Sequence, residues 1–244
     1  MNLIDLFEER RESLTRGGAG GPWILIFDVD STLMDTGPRN EAILEAAFES
    51  IPDLAPWKGR IPPVAGRWNI LDPCREAGMR DRALLDDIRA FWQERFFTDR
   101  WVTCDRPYPG AAACLEELKL RGFCLVYLTG RHSPGMEVGT RASFEAHGLP
   151  AGAAERFFFK PSFDAEDQQF KLDSCAAIGA LGTIVGTLDN EPGNVNLFVR
   201  NFPGALNLWM RTITSPRPET LVAGSRAVDP EILLPRVSPG APLA

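Results

Sequence analysis

Five apolar runs bounded by turn-forming residues recur along this chain of 244 residues. They are WILIFD (23–28), FCLVYLT (123–129), RFFFK (156–160), TIVGTLD (183–189) and ALNLWM (205–210). Strands that are apolar on both sides are typical of a parallel sheet covered on both faces. Helical patterns lie between the runs, including residues 110–122 and 164–182, the second with Asp164 as its expected N-cap. This alternation predicts an α/β fold, a Rossmann-like doubly wound parallel sheet.

One interval, residues 37–102, breaks the alternation because it has helical periodicity and no convincing buried strand. We interpret it as an α-helical cap subdomain inserted after the first strand, above the carboxyl ends of the strands, where open α/β sheets bind ligands. A lid at that edge can exclude water from chemistry below it. The predicted organisation is an N-terminal amphipathic helix with a Gly linker (1–20), a core (21–36 plus 103–215), the cap (37–102) and a Pro-rich C-terminal tail (216–244).

The first segment has the pattern of an amphipathic helix. Its apolar residues share one helical face, and the glycine-rich stretch 17–21 ends it; these residues are Leu3, Leu6, Phe7 and Leu14. We expect this helix to pack on its own domain. The alternative is that the helix binds a partner or dimerises, and in the second case the protein would be a homodimer.

Composition narrows the class of protein. The 26 basic and 33 acidic residues give a net charge of −7, which argues against nonspecific binding to nucleic acid or to an anionic membrane. The five cysteines are odd in number and lack a CxxC spacing, which is typical of a reduced cytoplasmic protein. No apolar run approaches the roughly 20 residues of a membrane span. We therefore expect a soluble, cytoplasmic protein. If its ligand is negatively charged, that ligand must be held by a local site and not by the charge of the whole protein.

Acidic and small polar residues follow three of the predicted strands. Asp28 and Asp30 come at the end of the first run, Thr129 and Gly130 at the end of the second, and Asp189 at the end of the fourth. Uncompensated carboxylates at a buried strand end would be costly, and Mg²⁺, which prefers oxygen ligands, offsets that cost. The Thr hydroxyl and neighbouring amides can receive a phosphate oxygen, and glycine permits close approach of the backbone. The alternative is that Asp28 and Asp30 only cap a turn.

The motifs DVDST, LTG, a lysine and LDNE, in that order, resemble those of the haloacid dehalogenase (HAD) superfamily, specifically its Mg²⁺-dependent phosphohydrolase branch. The resemblance implies that Asp28 is the nucleophile that forms an aspartyl-phosphate, and that Asp30 is the general acid and then the base. It further implies that Thr129 binds the transferring phosphoryl group and a lysine neutralises it. Asp189 would hold Mg²⁺ with Asp28 and the backbone carbonyl of Asp30.

Some assignments within this resemblance have alternatives. Both Lys160 and Lys171 lie in contexts that suit the lysine motif, and we favour Lys171 because it lies early in the helix leading to the Asp189 strand. Arg131 is a candidate substrate-binding residue, or an ordinary solvated arginine. After Asp189, where many relatives carry a second aspartate, this chain has Glu191 and Asn194, neither of which is a firm metal ligand.

The sequence thus predicts a Mg²⁺-dependent phosphatase that acts on a small phosphorylated metabolite. One alternative is a phosphoryl-transferring mutase of the same family, and another is a catalytically silent HAD-fold binding protein. The cap also holds a basic and aromatic cluster that either contacts the leaving group or belongs to the cap core and its solvated surface: Trp57, Lys58, Arg60, Arg67 and Trp68.

Overall fold

The computed structural model describes residues 1–217 and 219–235. The helices are α1 (Leu3–Arg16), α2 (Gly37–Ser50), α3 (Leu71–Glu76), α4 (Arg82–Phe96), α5 (Asp99–Val102), α6 (Ala111–Leu120), α7 (Ser133–Ala146), α8 (Asp167–Gly179) and α9 (Pro192–Asn201), with 3₁₀ helices at Pro52–Trp57 and Pro230–Leu233. The strands are β1 (Trp23–Phe27), β2 (Met34–Asp35), β3 (Arg106–Pro107), β4 (Phe123–His132), β5 (Arg156–Lys160), β6 (Thr183–Asp189), β7 (Leu206–Met210) and β8 (Ser225–Val228).

Six of these strands form one parallel sheet in the order β5-β4-β1-β6-β7-β8. The five predicted runs correspond to β1, β4, β5, β6 and β7, so the predicted Rossmann-like α/β fold is confirmed. The chain builds outward from β1 to β5 on one side and then crosses back to place β6 on the other side. The carboxyl ends of β1 and β6 therefore lie at a topological switch point, where open α/β sheets form their ligand crevice.

Helices cover both faces of the sheet because β1 is apolar on both sides. Leu25 and Phe27 belong to a core shared with α1, α6 and α7, whereas Ile24 and Ile26 belong to a core shared with α8 and α9. Consecutive residues of a strand point to opposite faces, so an unbroken apolar run is what a sheet between two helical layers requires.

The inserted segment forms a helical subdomain with a core of its own. Residues from α2, α3, α4 and the segments between them pack together there; the fully buried ones include Ile43, Leu54, Leu71, Cys74 and Met79. The chain passes twice between this inserted segment and the main sheet, and β2 and β3, which lie on these two connections, form a short antiparallel pair. Close packing also joins α5 to α7, since a Cβ at Gly139 would lie 2.1 Å from the Asp99 carbonyl oxygen.

Helix α1 packs on its own domain. A reciprocal cap between Asn2 and Asp5 starts the helix, and Leu3 and Phe7 are fully buried. The ring of Phe7 meets Phe27 edge-on at 6.2 Å and lies over Gly186, where a Cβ would come within 2.2 Å of it. The apolar face that a partner would have needed is therefore covered by the sheet.

Three local features differ from the sequence-based expectations. Helix α8 is capped by Glu166, whose side chain accepts from the Gln169 amide at 2.6 Å, and not by Asp164. Helix α7 was not predicted. Part of the expected tail is ordered: β8 extends the sheet beside β7, and Leu233 is buried. The remainder of that tail, residues 218 and 236–244, lies outside the described residues. Over the described part of the chain, no helix combines the length and hydrophobicity needed to cross a membrane.

Candidate active site

Two carboxylates and one lysine meet at the switch point of the sheet. Asp28 directly follows β1, Asp189 ends β6, and Lys171 comes from the second turn of α8. The Lys171 Nζ donates to Asp28 Oδ1 and to Asp189 Oδ2, both at 2.7 Å. All three residues are buried. Residues that are far apart in the sequence thus form one ionic cluster at the ligand-binding edge of the fold.

The structure separates the two candidate lysines. Whereas Lys171 bridges the acidic residues, Lys160 at the end of β5 donates to the carbonyls of Phe163 (3.2 Å) and Ala165 (2.8 Å) and pairs with Asp167 at 2.6 Å. Lys160 therefore supports the loop before α8 and does not contact the carboxylate pair. This arrangement favours Lys171 as the lysine of the motif.

A shell of hydrogen bonds orients the two carboxylates. The Thr32 hydroxyl donates to Asp28 Oδ2 at 3.0 Å. Asp189 Oδ1 accepts from the Glu191 amide at 2.8 Å and from Asn194 Nδ2 at 3.1 Å, so Asn194 orients Asp189. The Glu191 carboxylate accepts from the Ser215 amide and hydroxyl at 2.7 and 2.8 Å. Sequence reasoning had not identified Thr32.

The tight loop after β1 fixes the spacing of Asp28 and Asp30. The Val29 carbonyl accepts from the amides of Thr32, Leu33 and Met34 at 3.3, 3.0 and 2.9 Å. Ser31 adopts φ 57°, which a residue with a side chain seldom does, and among the described residues it is the one non-glycine with positive φ. Strained backbone of this kind is often found at functional sites.

Burial dominates the electrostatics of Asp28. Desolvation raises the pKa of its carboxyl group to about 7, although the neighbouring Lys171 acts to lower it; the charge of Asp189 raises it further. The same two carboxylates raise the pKa of Lys171, which stays protonated. One lysine is shared between two buried acids, so the cluster carries an excess of negative charge that a further cation would compensate.

A second buried ionic network holds Asp30. Its Oδ1 accepts from Arg39 Nη2 at 3.0 Å and from Arg131 Nε at 3.1 Å, and both arginines also pair with Asp105. The guanidinium groups and Asp105 are fully buried. Burial alone would raise the pKa of Asp30, but Arg131 and Arg39 lower it to about 2. In this conformation Asp30 is ionised near neutral pH, and the arginine contacts that keep it ionised also make it a weak base.

This network joins residues from both segments that connect the inserted helical subdomain to the core. Arg39 lies in the first cap helix, Asp105 precedes β3 on the return to the core, and Arg131 ends β4. Arg131, which we had expected to bind substrate, has its guanidinium engaged by Asp30, Asp105 and the Thr140 hydroxyl (2.9 Å) and does not line the cavity described below. Nothing in the sequence distinguished Arg39 or Asp105 from the other charged residues of the cap.

The LTG motif lies beside the carboxylates. Thr129 is fully buried, and its Oγ1 accepts from the Arg131 amide at 3.2 Å. Gly130 lines the cavity, and a Cβ there would lie 3.2 Å from Asp167 Oδ2. Of the predicted substrate-binding residues, only Gly130 therefore reaches the cavity surface in this conformation.

A cavity of about 510 Å³ opens between the sheet edge and the cap. The core contributes Asp28, Asp30, Gly130, Lys171 and Asn194 to its lining, and the cap contributes Asn40, Arg67, Trp68, Arg89, Trp92, Phe96 and Phe97. A small ligand in this space would contact the acidic cluster on one side and aromatic rings on the other. This is the usual composition of a small-molecule site.

The donor set of the acidic cluster fits Mg²⁺. Among residues 1–217 and 219–235, no group of three or more His, Cys, Asp or Glu side chains is arranged to hold a metal ion. Mg²⁺ is, however, commonly bound through one or two carboxylates together with waters and substrate phosphate oxygens. Asp28 and Asp189 supply two such carboxylates, and a divalent cation beside them would offset the cost of ionising buried Asp28, which is expressed in its raised pKa.

The fold is a Rossmann-like parallel α/β sheet with an inserted helical subdomain, and paired carboxylates and a buried lysine lie at its ligand-binding edge. The family model for haloacid dehalogenase-like hydrolases matches residues 24–173, well over half of the chain. The chain therefore belongs to the haloacid dehalogenase-like hydrolases.

Solved structures share this fold at low sequence identity. A haloacid dehalogenase-like family hydrolase from Streptococcus pneumoniae is 14% identical, covering 85% of this chain and 94% of that one, with a TM-score of 0.50. A putative phosphatase from Clostridium difficile is 14% identical, with coverages of 79% and 87% and a TM-score of 0.52. A putative beta-phosphoglucomutase from Thermotoga maritima is 18% identical, with coverages of 86% and 96% and a TM-score of 0.51. No curated protein matches the chain.

Proposed function

We propose that this hydrolase is a Mg²⁺-dependent phosphatase that cleaves a small phosphomonoester through an aspartyl-phosphate on Asp28. The observation that carries the proposal is the bridge of Lys171 between Asp28 and Asp189 at 2.7 Å each, at the floor of the cavity. A carboxylate is a poor nucleophile toward a phosphate dianion unless cations absorb the repulsion. Lys171 places one cation directly at the proposed nucleophile.

The proposed reaction has two steps. In the first, a carboxylate oxygen of Asp28 attacks phosphorus, the bond from phosphorus to the ester oxygen breaks, and the leaving group departs with the bonding electrons and takes up a proton. In the second, a water oxygen attacks the phosphorus of the aspartyl-phosphate, phosphate leaves Asp28, and Asp30 accepts the proton of the water. Lys171 and the amides near Gly130 stabilise the charge of the transferring group.

Asp30 is proposed as the acid and base of these steps. Its Oδ1 is occupied by arginine donors, whereas its Oδ2 has no hydrogen-bond partner among the described residues, and the side chain lines the cavity. Asp30 is already ionised, as the second step requires, and loosening of its arginine contacts would make it a stronger base for that step. Donation in the first step requires that Asp30 be protonated first, which a loosening of its contacts with Arg39 and Arg131 would favour.

Mg²⁺ would be held by Asp28, Asp189 and the backbone carbonyl of Asp30. When bound, it would polarise phosphate oxygens and offset the charge repulsion between the phosphate and the nucleophile. The presence of Asp30 two residues after Asp28 favours a phosphatase over a dehalogenase, because a departing halide needs no proton whereas an alkoxide does. The free cysteines among the described residues suit the proposed cytoplasmic location.

The test is phosphate release by purified protein from a panel of phosphorylated metabolites, with Mg²⁺ and with EDTA. We expect Mg²⁺-dependent release that Asp28→Asn abolishes. The matched control is Asp35→Asn, in the same acidic stretch. Among the described residues its carboxylate accepts from the Gly37 amide alone, at 2.8 Å, and it does not line the cavity. Isomerised sugar phosphates with little free phosphate would indicate a mutase, and no reaction with any phosphate ester would indicate a silent binding protein.

A further inference from the structure

The cap side of the cavity has a pronounced aromatic character. Four rings from the cap line the same space as Asp28 and Lys171; they are Trp68, Trp92, Phe96 and Phe97. A phosphate held at the acidic cluster would point its leaving group toward these rings. The identity of the leaving group is therefore set by what the rings can accommodate, and this inference rests on the proposed phosphatase function.

Three of the rings form a preorganised wall. Trp92 and Phe96 lie four residues apart on α4, with ring centroids 4.7 Å apart, and Phe97 meets the two rings edge-on at 5.6 and 5.0 Å. The Trp92 Nε1 donates to Asn40 Oδ1 at 2.8 Å, which fixes the indole. The Arg39 guanidinium stacks on Phe96 at 4.2 Å. Because the wall is already ordered, a ligand would meet it at little entropic cost.

The fourth ring has no such packing. Trp68 is 54% exposed, and among the described residues no aromatic ring or cation is recorded against its indole. Its neighbour Arg67 is held by Glu76 through two hydrogen bonds of 2.7 and 2.9 Å. The predicted basic and aromatic cluster is thus divided: Trp57 packs on the cap core with Arg60 over its ring, whereas Arg67 and Trp68 border the cavity.

We propose that the substrate is an aromatic phosphomonoester, whose planar leaving group lies against the wall of Trp92, Phe96 and Phe97 and is covered by Trp68. An exposed indole at the rim of an apolar cavity gains most from a flat partner, since ring pairs are stabilised beyond their buried area. An aliphatic leaving group of equal size would displace the same water but would stack on neither surface.

The test compares two esters that differ in planarity and not in the type of leaving group: benzyl phosphate and cyclohexylmethyl phosphate. We expect a kcat/KM for the benzyl ester about tenfold higher, carried mainly by KM, since one good aromatic contact is worth roughly that factor. In Trp68→Leu the preference should fall clearly, because only the wall of Trp92, Phe96 and Phe97 then remains to contact the planar group. Because Trp68 is exposed, this variant should fold; Trp57→Leu, outside the cavity, is the matched control and should keep the wild-type preference.

Binding of the corresponding phosphonates separates this inference from the proposed function, because it requires no turnover. Calorimetry should show tighter binding of benzylphosphonate than of cyclohexylmethylphosphonate, and the difference should become smaller in Trp68→Leu. Equal binding and equal kcat/KM for the two ring types would overturn the inference, even if other phosphomonoesters are hydrolysed. A preference that persists unchanged in Trp68→Leu would also overturn it. Preferential phosphonate binding without hydrolysis of any ester would support the aromatic site and refute the phosphatase.

Discussion

Replacement of Lys171 by methionine tests the ionic cluster at the centre of the site. The change keeps an unbranched side chain, one atom shorter, and removes the cation that two buried carboxylates share, with Asp28 and Asp189 both 2.7 Å from its Nζ. Removing one partner of a buried ion pair costs about 3–5 kcal/mol, because the remaining charge is left without compensation. Two acids are left here, so we expect a loss of at least that order in the free energy of unfolding.

The assay is urea unfolding in EDTA, followed by circular dichroism. Lys160→Met is the matched control, because within the described part of the chain Lys160 contacts two carbonyls and one carboxylate, that of Asp167, whose side chain is 56% exposed. This variant should lose clearly less stability than Lys171→Met. Adding Asp189→Asn to Lys171→Met should recover part of the lost stability, because it removes one uncompensated charge. Phosphate release should fall by about 10²–10³ in Lys171→Met and stay near the wild-type rate in Lys160→Met.

The reasoning would be refuted if the two lysine variants were equally stable. It would also be refuted if Asp189→Asn made the Lys171→Met protein less stable still, since the second carboxylate would then be stabilising without its cation.

Three further predictions concern packing, the buried network and the metal. Gly139→Ala should lower the free energy of unfolding by about 1–3 kcal/mol, and with it the urea midpoint, because its Cβ would overlap the backbone of α5. Gly204→Ala should leave the midpoint unchanged, because no described atom would lie within 4 Å of its Cβ; equal midpoints for the two variants would contradict the packing argument. Arg39→Met should lower the free energy of unfolding by about 3–5 kcal/mol, because it breaks a buried ion pair. Arg211→Met, whose pair with Asp229 is half exposed, should lower it far less, again by urea unfolding; similar losses would refute the assigned role of burial. Mg²⁺ should raise the Tm of the wild type and leave that of Asp189→Asn unchanged in a thermal melt; equal shifts would place the ion elsewhere.

The sequence predicted the central strands well for a physical reason. β1, β4 and β6 lie inside the sheet and are covered on both faces, so they need unbroken apolar runs that stand out from the surrounding helices. β8 lies at the edge with one neighbour and reads Ser-Arg-Ala-Val, with two exposed residues, so it resembles the tail around it. An edge strand needs far less apolar character, and the pattern cannot distinguish it from a loop.

Helix α7 was missed because its sequence contains residues that usually break helices. Pro134 lies in its first turn, where the absent amide hydrogen has no partner to lose. Gly139 lies in its middle, where a side chain would collide with α5. Both residues have reasons that depend on position in the fold, and neither reason is visible along the chain.

Some residues of the candidate site could be predicted from the sequence, and others only from the structure. Asp28 and Asp189 could be predicted because each stands at the end of a recognisable apolar strand, and parallel strands bring their carboxyl ends to one edge of the sheet. Lys171 could be predicted because it lies early in the helix that leads into the Asp189 strand. Arg39 and Asp105 are separated by 66 positions and come together only through the path of the cap. Their charge is ordinary in the sequence and becomes distinctive only when burial removes it from water.

The most direct test of the account is the search for a phosphorylated Asp28. Wild-type protein mixed with a substrate that releases phosphate would be quenched in acid during the first turnovers, digested, and examined by mass spectrometry. We predict one phosphoryl group on the peptide that contains Asp28, sensitive to hydroxylamine as an acyl phosphate is, and absent from Asp28→Asn. Full phosphate release with no phosphoryl group on that peptide, or release that persists in Asp28→Asn, would contradict the central claim.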